Sequence, residues 1–386
     1  MSRTMAATCL ALSLFTVTFA VNLQAPLYSA YVAESGHAAT AVAIAFSAYV
    51  AGLMPTLCLL GGLSDRIGRR TPLAAALVLG AVATALLVFA PTWGSLIVAR
   101  LLLGIGTGLA TTAGTAYMTE IMGADQTRRA ALAVTSATSL GFGGGALATG
   151  VSLTLQGATF FPVSFAALFV AAPLLALLML GSPRLDDPKP VSLLRLPVFP
   201  EGSWAFGVAL ALAWSSTGMT IAVVPLQLAA HGLAGWTGPV IFLAIFVGFL
   251  CQPIAKRMTN ETALAVGLAL IPLGFTILLV GAWMQSIALV LLGTGLSSAS
   301  SYGFTYLAGL SEFALRAPDN RARATAGLFV YAYAGFSLPV IGSGVLADAF
   351  GLIEAMAAFL VLLLATSAIV AARRYGRAAT QYARSS

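Results

Sequence analysis

Charge is what this sequence has least of. Only 8% of its 386 residues are Asp, Glu, Lys or Arg, against about a quarter in a soluble domain. So few charges cannot solvate a water-facing surface of this size, which excludes an ordinary soluble globular protein. Cysteine is scarce as well. Cys9, Cys58 and Cys251 all fall inside apolar runs, so neither a disulfide framework nor a metal site is expected. The two histidines, His37 and His231, are too few and too isolated for a metal cluster. The two lysines, Lys189 and Lys256, fit no G-x-x-x-x-G-K-[ST] phosphate loop. ATP hydrolysis is therefore not expected. No hydrolase elbow or paired catalytic carboxylate stands out, so an enzyme is not expected, and no cofactor.

What the chain has in plenty is apolar sequence, 59% by composition, with a mean hydropathy of +0.96. Only α-helices and closed β-barrels satisfy their backbone inside a bilayer. Barrel strands alternate apolar and polar residues, whereas the runs here, such as 73–91 and 352–372, are continuous. That is the helical pattern, and it predicts an all-α integral membrane protein. Twelve spans fit: 6–32, 39–63, 72–91, 94–119, 130–154, 160–181, 204–229, 237–255, 262–283, 286–311, 324–348 and 352–372. A signal peptide is the alternative for the first run. Its length, its Asn22 and Gln24, and its partner in the second half favour a span. The polar, Pro-rich stretch beginning Ser182-Pro183-Arg184-Leu185-Asp186-Asp187-Pro188-Lys189-Pro190 breaks the pattern. It predicts a six-helix bundle over 1–183, a linker over 184–203 and a second six-helix bundle over 204–386, ending in a short basic tail.

Basic residues mark the cytoplasmic side of a membrane protein. With twelve spans, Arg3, the 66–70 arginines, Arg128 and Arg129, the linker's basic residues, Lys256 and Arg257, Arg316, Arg321 and Arg323, and the tail arginines all fall on one face. Arg100 alone lies inside a span. A miscounted helix would scatter these residues onto both faces. The pattern predicts cytoplasmic N- and C-termini and accounts for the pI of about 9.6 without nucleic acid. Trp93, Trp236 and Trp283 fall near outer span ends and Trp204 near an inner one, as interfacial anchors do. Trp214 falls near mid-span.

The halves repeat one another. Gly106-Thr107-Gly108-Leu109 recurs as Gly293-Thr294-Gly295-Leu296. The order Glu120…Asp125…Arg129-Ala130 is echoed by Glu312…Asp319…Arg323-Ala324. Aligning the two tetrapeptides puts Ile287 opposite Arg100, which makes the arginine an asymmetric addition.

The sharpest local motif is Gly61-Gly62-Leu63-Ser64-Asp65-Arg66-Ile67-Gly68-Arg69-Arg70, at the inner end of the second span. It resembles the signature of the major facilitator superfamily. Its small residues allow close helix approach, Gly68 permits a tight turn, and Asp65 suits the positive end of a neighbouring helix. Arg100-Leu101-Leu102-Leu103-Gly104-Ile105-Gly106-Thr107-Gly108 resembles the family's fourth-helix motif. Together they point to its drug- and metabolite-efflux branch. The resemblance implies two pseudo-symmetric six-helix bundles. It also implies a conformational switch at Gly61, Asp65, Arg66, Gly68, Arg69, Arg70 and Glu120, in which the aspartate faces helix 11 and a loop arginine pairs with Glu120. Ser139 to Gly145 is similar to the glycine-rich fifth-helix motif of family antiporters but lacks its proline.

An intramembrane ionisable residue is costly and functional by default. Arg100 is the candidate, with snorkelling to the outer interface as the alternative. The resemblance places helices 1, 4, 7 and 10 around a cavity. That makes Asn22, Gln24, Tyr28, Arg100, Thr111, Thr112, Tyr117, Trp214, Ser215, Gln227, Ser301 and Tyr302 candidate substrate contacts, with Gln252, Tyr331 and Tyr333 flanking them. One cation without a central acid favours neutral, zwitterionic or anionic cargo. The expected protein is a monomeric secondary transporter of the bacterial cytoplasmic membrane. It exports a small organic molecule by alternating access, and protons are an open choice of coupling ion. The alternatives are an importer of a small organic anion or sugar, and a transport-inactive sensor or assembly partner on the same fold.

Overall fold

The computed structural model describes residues 2–36, 38–185 and 190–385, and of Ser35, Ala124 and 375–385 it describes the backbone alone. His37 and the linker residues Asp186, Asp187, Pro188 and Lys189 lie outside the described residues. Twelve helices among them are long and apolar enough to cross a membrane. They are α1 (Arg3–Glu34), α2 (Ala39–Leu59), α3 (Arg70–Phe89), α4 (Trp93–Met122), α5 (Thr127–Gln156), α6 (Val163–Leu180), α7 (Trp204–Ala230), α8 (Ala234–Ala255), α9 (Asn260–Trp283), α10 (Ile287–Arg316), α11 (Pro318–Phe350) and α12 (Leu352–Arg374). No strand occurs among the described residues. The helix of α12 runs on to Ser385, past its apolar run.

The chain forms two compact units. Unit 1 holds residues 1–37, 44–196 and 234–242, and unit 2 holds 38–43, 197–233 and 243–386. In unit 1 the principal packings are α1 on α5, α3 on α4 and α3 on α6. In unit 2 they are α7 on α11, α9 on α10 and α9 on α12. Each pair of the second set is the first moved on by six helices, so the sequence echo is a repeat of packing. Glycine makes the tightest of these contacts possible. A methyl at Gly141 or Gly145 of α5 would overlap the backbone of α1 at Phe15 or Phe19. In unit 2 a methyl at Gly335 of α11 would overlap the Ala211 carbonyl of α7. Where lipid gives no hydrophobic drive between helices, such close backbone approach is what holds them.

The outward surface is apolar. Phe89, Leu155, Leu177, Leu338 and Phe350 are each more than half exposed. In the most apolar window of α6 or α12 only 33% of residues are buried, against 83% in α7. The first two therefore present most of their surface to lipid, and α7 is enclosed.

Among the described residues α1, α7 and α10 are irregular in their interiors. α1 is regular to Asn22, passes through a 3-10 turn at Ala25–Leu27, and resumes over Tyr28–Ser35. α7 breaks at Val223, between Trp204–Ala222 and Val224–Ala230. Pro26 and Pro225 account for both breaks, since proline lacks an amide hydrogen and crowds the carbonyl four residues back. α10 has no proline, yet it widens to a π turn over Ala299–Phe304.

The helix frame corrects the repeat alignment. α4 begins at Trp93 and α10 at Ile287, so Gly106 stands about two turns deeper in its helix than Gly293 does. Matched by helix ends, Thr294 rather than Ile287 stands opposite Arg100. The tetrapeptide marks a shared need for small residues, against α3 for Gly106 and against α9 for Gly293, and does not mark a shared depth.

Candidate functional site

Arg100 is fully buried, so the snorkelling alternative fails. Its two terminal nitrogens donate to the Val21 carbonyl at 2.6 Å and the Phe46 carbonyl at 3.0 Å. Its guanidinium lies 5.1 Å from the ring centre of Phe46 and 5.0 Å from that of Tyr49. The break in α1 explains the first bond. Disrupting the helix past Asn22 leaves carbonyls without their usual partners, and Arg100 serves one of them. A buried charge is tolerated only when well hydrogen-bonded, and here carbonyls and ring faces do that work. Among the described residues no carboxylate pairs with Arg100.

A small-residue stripe brings α4 close enough for this. Gly104 meets the backbone of α2 at Tyr49 and Leu53, and Gly108 meets Thr56. Arg100, Gly104 and Gly108 are one turn apart and face one helix. Gln24 and Tyr28 flank the same break. The Gln24 amide donates to Val21 O at 3.0 Å. Its carbonyl oxygen, the Tyr28 hydroxyl and the Arg100 Nε are buried and unpartnered. Two idle polar atoms beside a buried cation that keeps one free N–H of its own form a site poised for a polar guest.

The other unit 1 candidates are more committed. Asn22 donates to the Phe142 carbonyl of α5 at 2.9 Å. Thr111 and Thr112 return their hydroxyls to Thr107 and Gly108 of their own helix. Tyr117 is buried with its hydroxyl on the Pro183 carbonyl at 2.7 Å, so it anchors the linker. The lower part of α4 lines an open cleft with Thr112, Thr115, Ala116, Thr119, Glu120 and Gly123.

In unit 2, Trp214 is 6% exposed and is ringed by five aromatics. Tyr302 lies at 5.4 Å, Tyr306 at 6.3 Å, Phe329 at 6.3 Å, Tyr333 at 5.1 Å and Phe336 at 6.0 Å between ring centres. The π turn positions Tyr302. A wider turn leaves backbone groups to be satisfied, and Gln252 of α8 donates to the Tyr302 carbonyl at 3.1 Å. Ser298 accepts from the Gly248 amide at 2.8 Å, and Ser300 donates to the Gly267 carbonyl at 2.8 Å. Thr217 donates to Ser301 at 3.2 Å, and Ser215 donates to the Leu212 carbonyl at 2.6 Å. Gln227 sits beside His231 at 3.4 Å, beyond the second break and outside the ring cluster. Tyr331 contacts Phe199 and Phe313 instead of Trp214. Tyr306, Phe329 and Phe336 were not among the expected residues. Their signal was in the sequence, since Tyr302 and Tyr306, and Phe329 and Tyr333, are each four apart and so share a helix face.

The charged loop forms a network in unit 1. Asp65 is held by Arg69 and by Arg195 of the linker, the latter at 2.7 Å. Arg69 also meets Glu120 at 3.0 Å. Burial alone would lower the Arg69 guanidinium, but the two acids outweigh it and push it up. Gly68, at φ 88°, makes the turn where a side chain would be strained. Arg70 donates to the Leu180 and Ser182 carbonyls at the end of α6, at 2.8 and 2.5 Å.

Gly61 and Gly62 do something other than admit a helix. A methyl at Gly62 would overlap the Ser192 carbonyl, and one at Gly61 would crowd the Arg195 side chain. The linker lies across them as an extended strap. Gly62 N donates to Leu193 O at 3.0 Å, Arg195 N to Cys58 O at 2.8 Å, and Arg66 to Val191 O at 2.5 Å. Arg195 was missed because a linker arginine looks like any solvated basic residue.

Twelve apolar helices in two repeated units and an apolar outward surface define a polytopic membrane protein. Comparison with known families makes this specific: the profile of the Major Facilitator Superfamily matches residues 10–338, and the chain belongs to that family. A curated relative, the tetracycline resistance protein, class C, of Escherichia coli, is 28% identical over 270 residues. The match takes in 63% of this chain and 66% of that protein's length. Among solved structures, an inward-facing, occupied bacterial homologue of the human lysosomal transporter Spinster superposes with a TM-score of 0.75 at 14% identity, covering 95% of this chain and 96% of that one. The nucleoside transporter NupG gives 0.74 at 14%, covering 95% and 98%. The peptide transporter POT in complex with sulfate gives 0.75 at 15%, covering 96% and 95%. At these identities the likeness is one of fold.

Proposed function

We propose that the chain is a secondary transporter that moves a small organic molecule across the cytoplasmic membrane by alternating access, in the direction of export. The observation that carries the reading is the Arg100 site: a fully buried guanidinium, a broken helix and idle polar atoms on Gln24 and Tyr28. Burying a charge without a counter-ion costs stability and returns nothing to the fold that an apolar residue could not supply. Export is favoured by the relative whose name is a tetracycline resistance protein and by the efflux-like motifs around Asp65 and Arg100. The switch residues around Asp65 and Glu120 would couple the linker strap to the cycle. Import of a small organic anion is the second reading, favoured by the same unpaired cation. Proteoliposomes with the chain in defined orientation, loaded with tetracycline or with a small organic acid, test both. Protein-dependent, gradient-driven flux that is lost in Arg100→Ala supports transport, and its direction separates the readings. Stable membrane insertion without flux of any cargo would instead leave a sensor or assembly partner.

A further inference from the structure

Nothing in the packing scheme of unit 2 requires six aromatic rings in one place. Matched by helix ends, α4 has Gly108 and Thr112 where α10 has Tyr302 and Tyr306. Four of the rings, Tyr302, Tyr306, Phe329 and Tyr333, are partly exposed, while Trp214 beneath them is 6% exposed. The cluster is therefore accessible at its rim, buried at Trp214, and has not closed into a core. Its buried centre carries an unmet demand: the indole N–H of Trp214 is buried and has no acceptor. A tryptophan held in a finished core finds a partner for that group, and an orphan donor of this kind calls for an explanation. The hydroxyls of Ser216, Ser297 and Ser337, on the same helices α7, α10 and α11, are buried and unpartnered too.

The surrounding rings are arranged as faces and edges. Tyr306 stacks nearly parallel to Trp214, at 26°, and Tyr333 stands edge-on at 84°. Offset-stacked and edge-to-face geometries are the ones that attract a further aromatic ring. The π turn that presents Tyr302 is the kind of helix irregularity that gathers at functional sites. An organic cation would find ring faces but no counter-charge. The described acids of unit 2, Glu201, Glu261, Glu312, Asp319, Asp348 and Glu354, all stand in loops or at helix ends.

We infer that the Trp214 ring cluster is a binding subsite for a flat, neutral or anionic aromatic ring system that presents a hydrogen-bond acceptor to the Trp214 indole N–H. The inference rests on the transporter reading, and it names the class of cargo.

The test uses purified full-length protein in detergent and acridone, a neutral, flat, fluorescent tricycle carrying one carbonyl. Acridone binds saturably, above the level of empty micelles, and excess cyclohexanone, a ketone without a ring face, does not displace it. Trp214→Phe keeps the ring and removes the N–H, and it weakens binding about tenfold, the value of one hydrogen bond to a buried donor. Trp214→Leu removes the central ring and weakens it further. Trp204→Leu, at a helix end, leaves it unchanged. Should Trp214→Leu not remain monodisperse, Trp214→Phe and Tyr333→Leu carry the test. Acridone affinity indifferent to Trp214→Phe and Tyr333→Leu, or uptake equal to that of empty micelles, overturns the inference. Flux that survives while acridone ignores Trp214 removes the subsite and leaves the transporter. Trp214-dependent acridone binding without flux of any cargo does the reverse.

Discussion

The two units share a packing plan and solve different polar problems with it. Both begin with a helix broken by proline, α1 at Pro26 and α7 at Pro225. Unit 1 fills its break with a cation from α4, pinned by two backbone carbonyls and two ring faces. Unit 2 has Thr294 at the matching depth of α10, and its hydroxyl is buried without a partner. It answers with a π turn and an aromatic cluster. The scaffold that must repeat, glycine against backbone, is duplicated at Gly145 and Gly335. The chemistry is not duplicated.

The harshest way to break the comparison is at Arg100. Arg100→Ala removes both carbonyl bonds and empties the space they spanned. We expect abolished transport and a stability loss of about 1–3 kcal/mol, since the two carbonyls lose their donor while the cost of the buried charge is relieved, read by flux and by thermal unfolding of the purified protein. Arg100→Lys should not rescue flux, because one ammonium cannot match the guanidinium's fixed fork. Thr294→Val in unit 2 should be nearly silent. An equal loss from Thr294→Val would mean the asymmetry is not functional.

The next test probes the shared scaffold. Gly145→Leu and Gly335→Leu each force a side chain into a neighbouring backbone. Overpacking of this kind costs about 1–3 kcal/mol. Similar melting-temperature losses in the two units are the expected outcome, and a loss in one alone would show that the repeat is only topological.

The frame was legible in the sequence because its causes are local. Continuous apolar runs dictate helices, and the one-sided arginines fix their count, so twelve helices follow from patterning alone. Site features with a local cause were also readable. Arg100 stands out as the one basic residue within a predicted span, and the Gly104–Gly108 spacing predicts a shared face. What the sequence hid depends on depth or on distant pairing. The tetrapeptide repeat misplaced Arg100's counterpart because four matched residues carry no information about where a helix begins. The strap over Gly61 and Gly62 was hidden because small residues admit any backbone, a linker as readily as a helix. The π turn left no mark, since no proline or glycine pair forces it.

Weaker effects lie at the charged ends. Asp65→Asn breaks the pairs to Arg69 and Arg195. Both are partly exposed, so the stability cost is small, about 1 kcal/mol. The larger consequence should be kinetic. Freed from Asp65, the Arg195 side chain no longer ties the strap, which then rests on its backbone bonds and on Arg66, and the maximal rate of transport should fall while the half-saturating cargo concentration stays close to native. An equal loss in apparent affinity would place Asp65 in cargo binding.

The smallest expected effect concerns the start of α2, whose residues 39–43 group with unit 2 while the rest of the helix groups with unit 1. Asp348, near the end of α11, accepts from the first-turn amides of Ala39 at 2.7 Å and Thr40 at 3.0 Å. Those amides have no partner within their own helix, and a carboxylate there also meets the positive end of the helix dipole. Asp348→Asn keeps one acceptor oxygen and loses the charge, so thermal unfolding should register about 0.5 kcal/mol, and Asp348→Ala about 1 kcal/mol. Both variants should respond more weakly to added salt than the native chain, because the charge that salt screens is gone. A native-like melting temperature in Asp348→Ala would show that the first turn of α2 is held by the packing of its apolar residues and owes nothing to the cap.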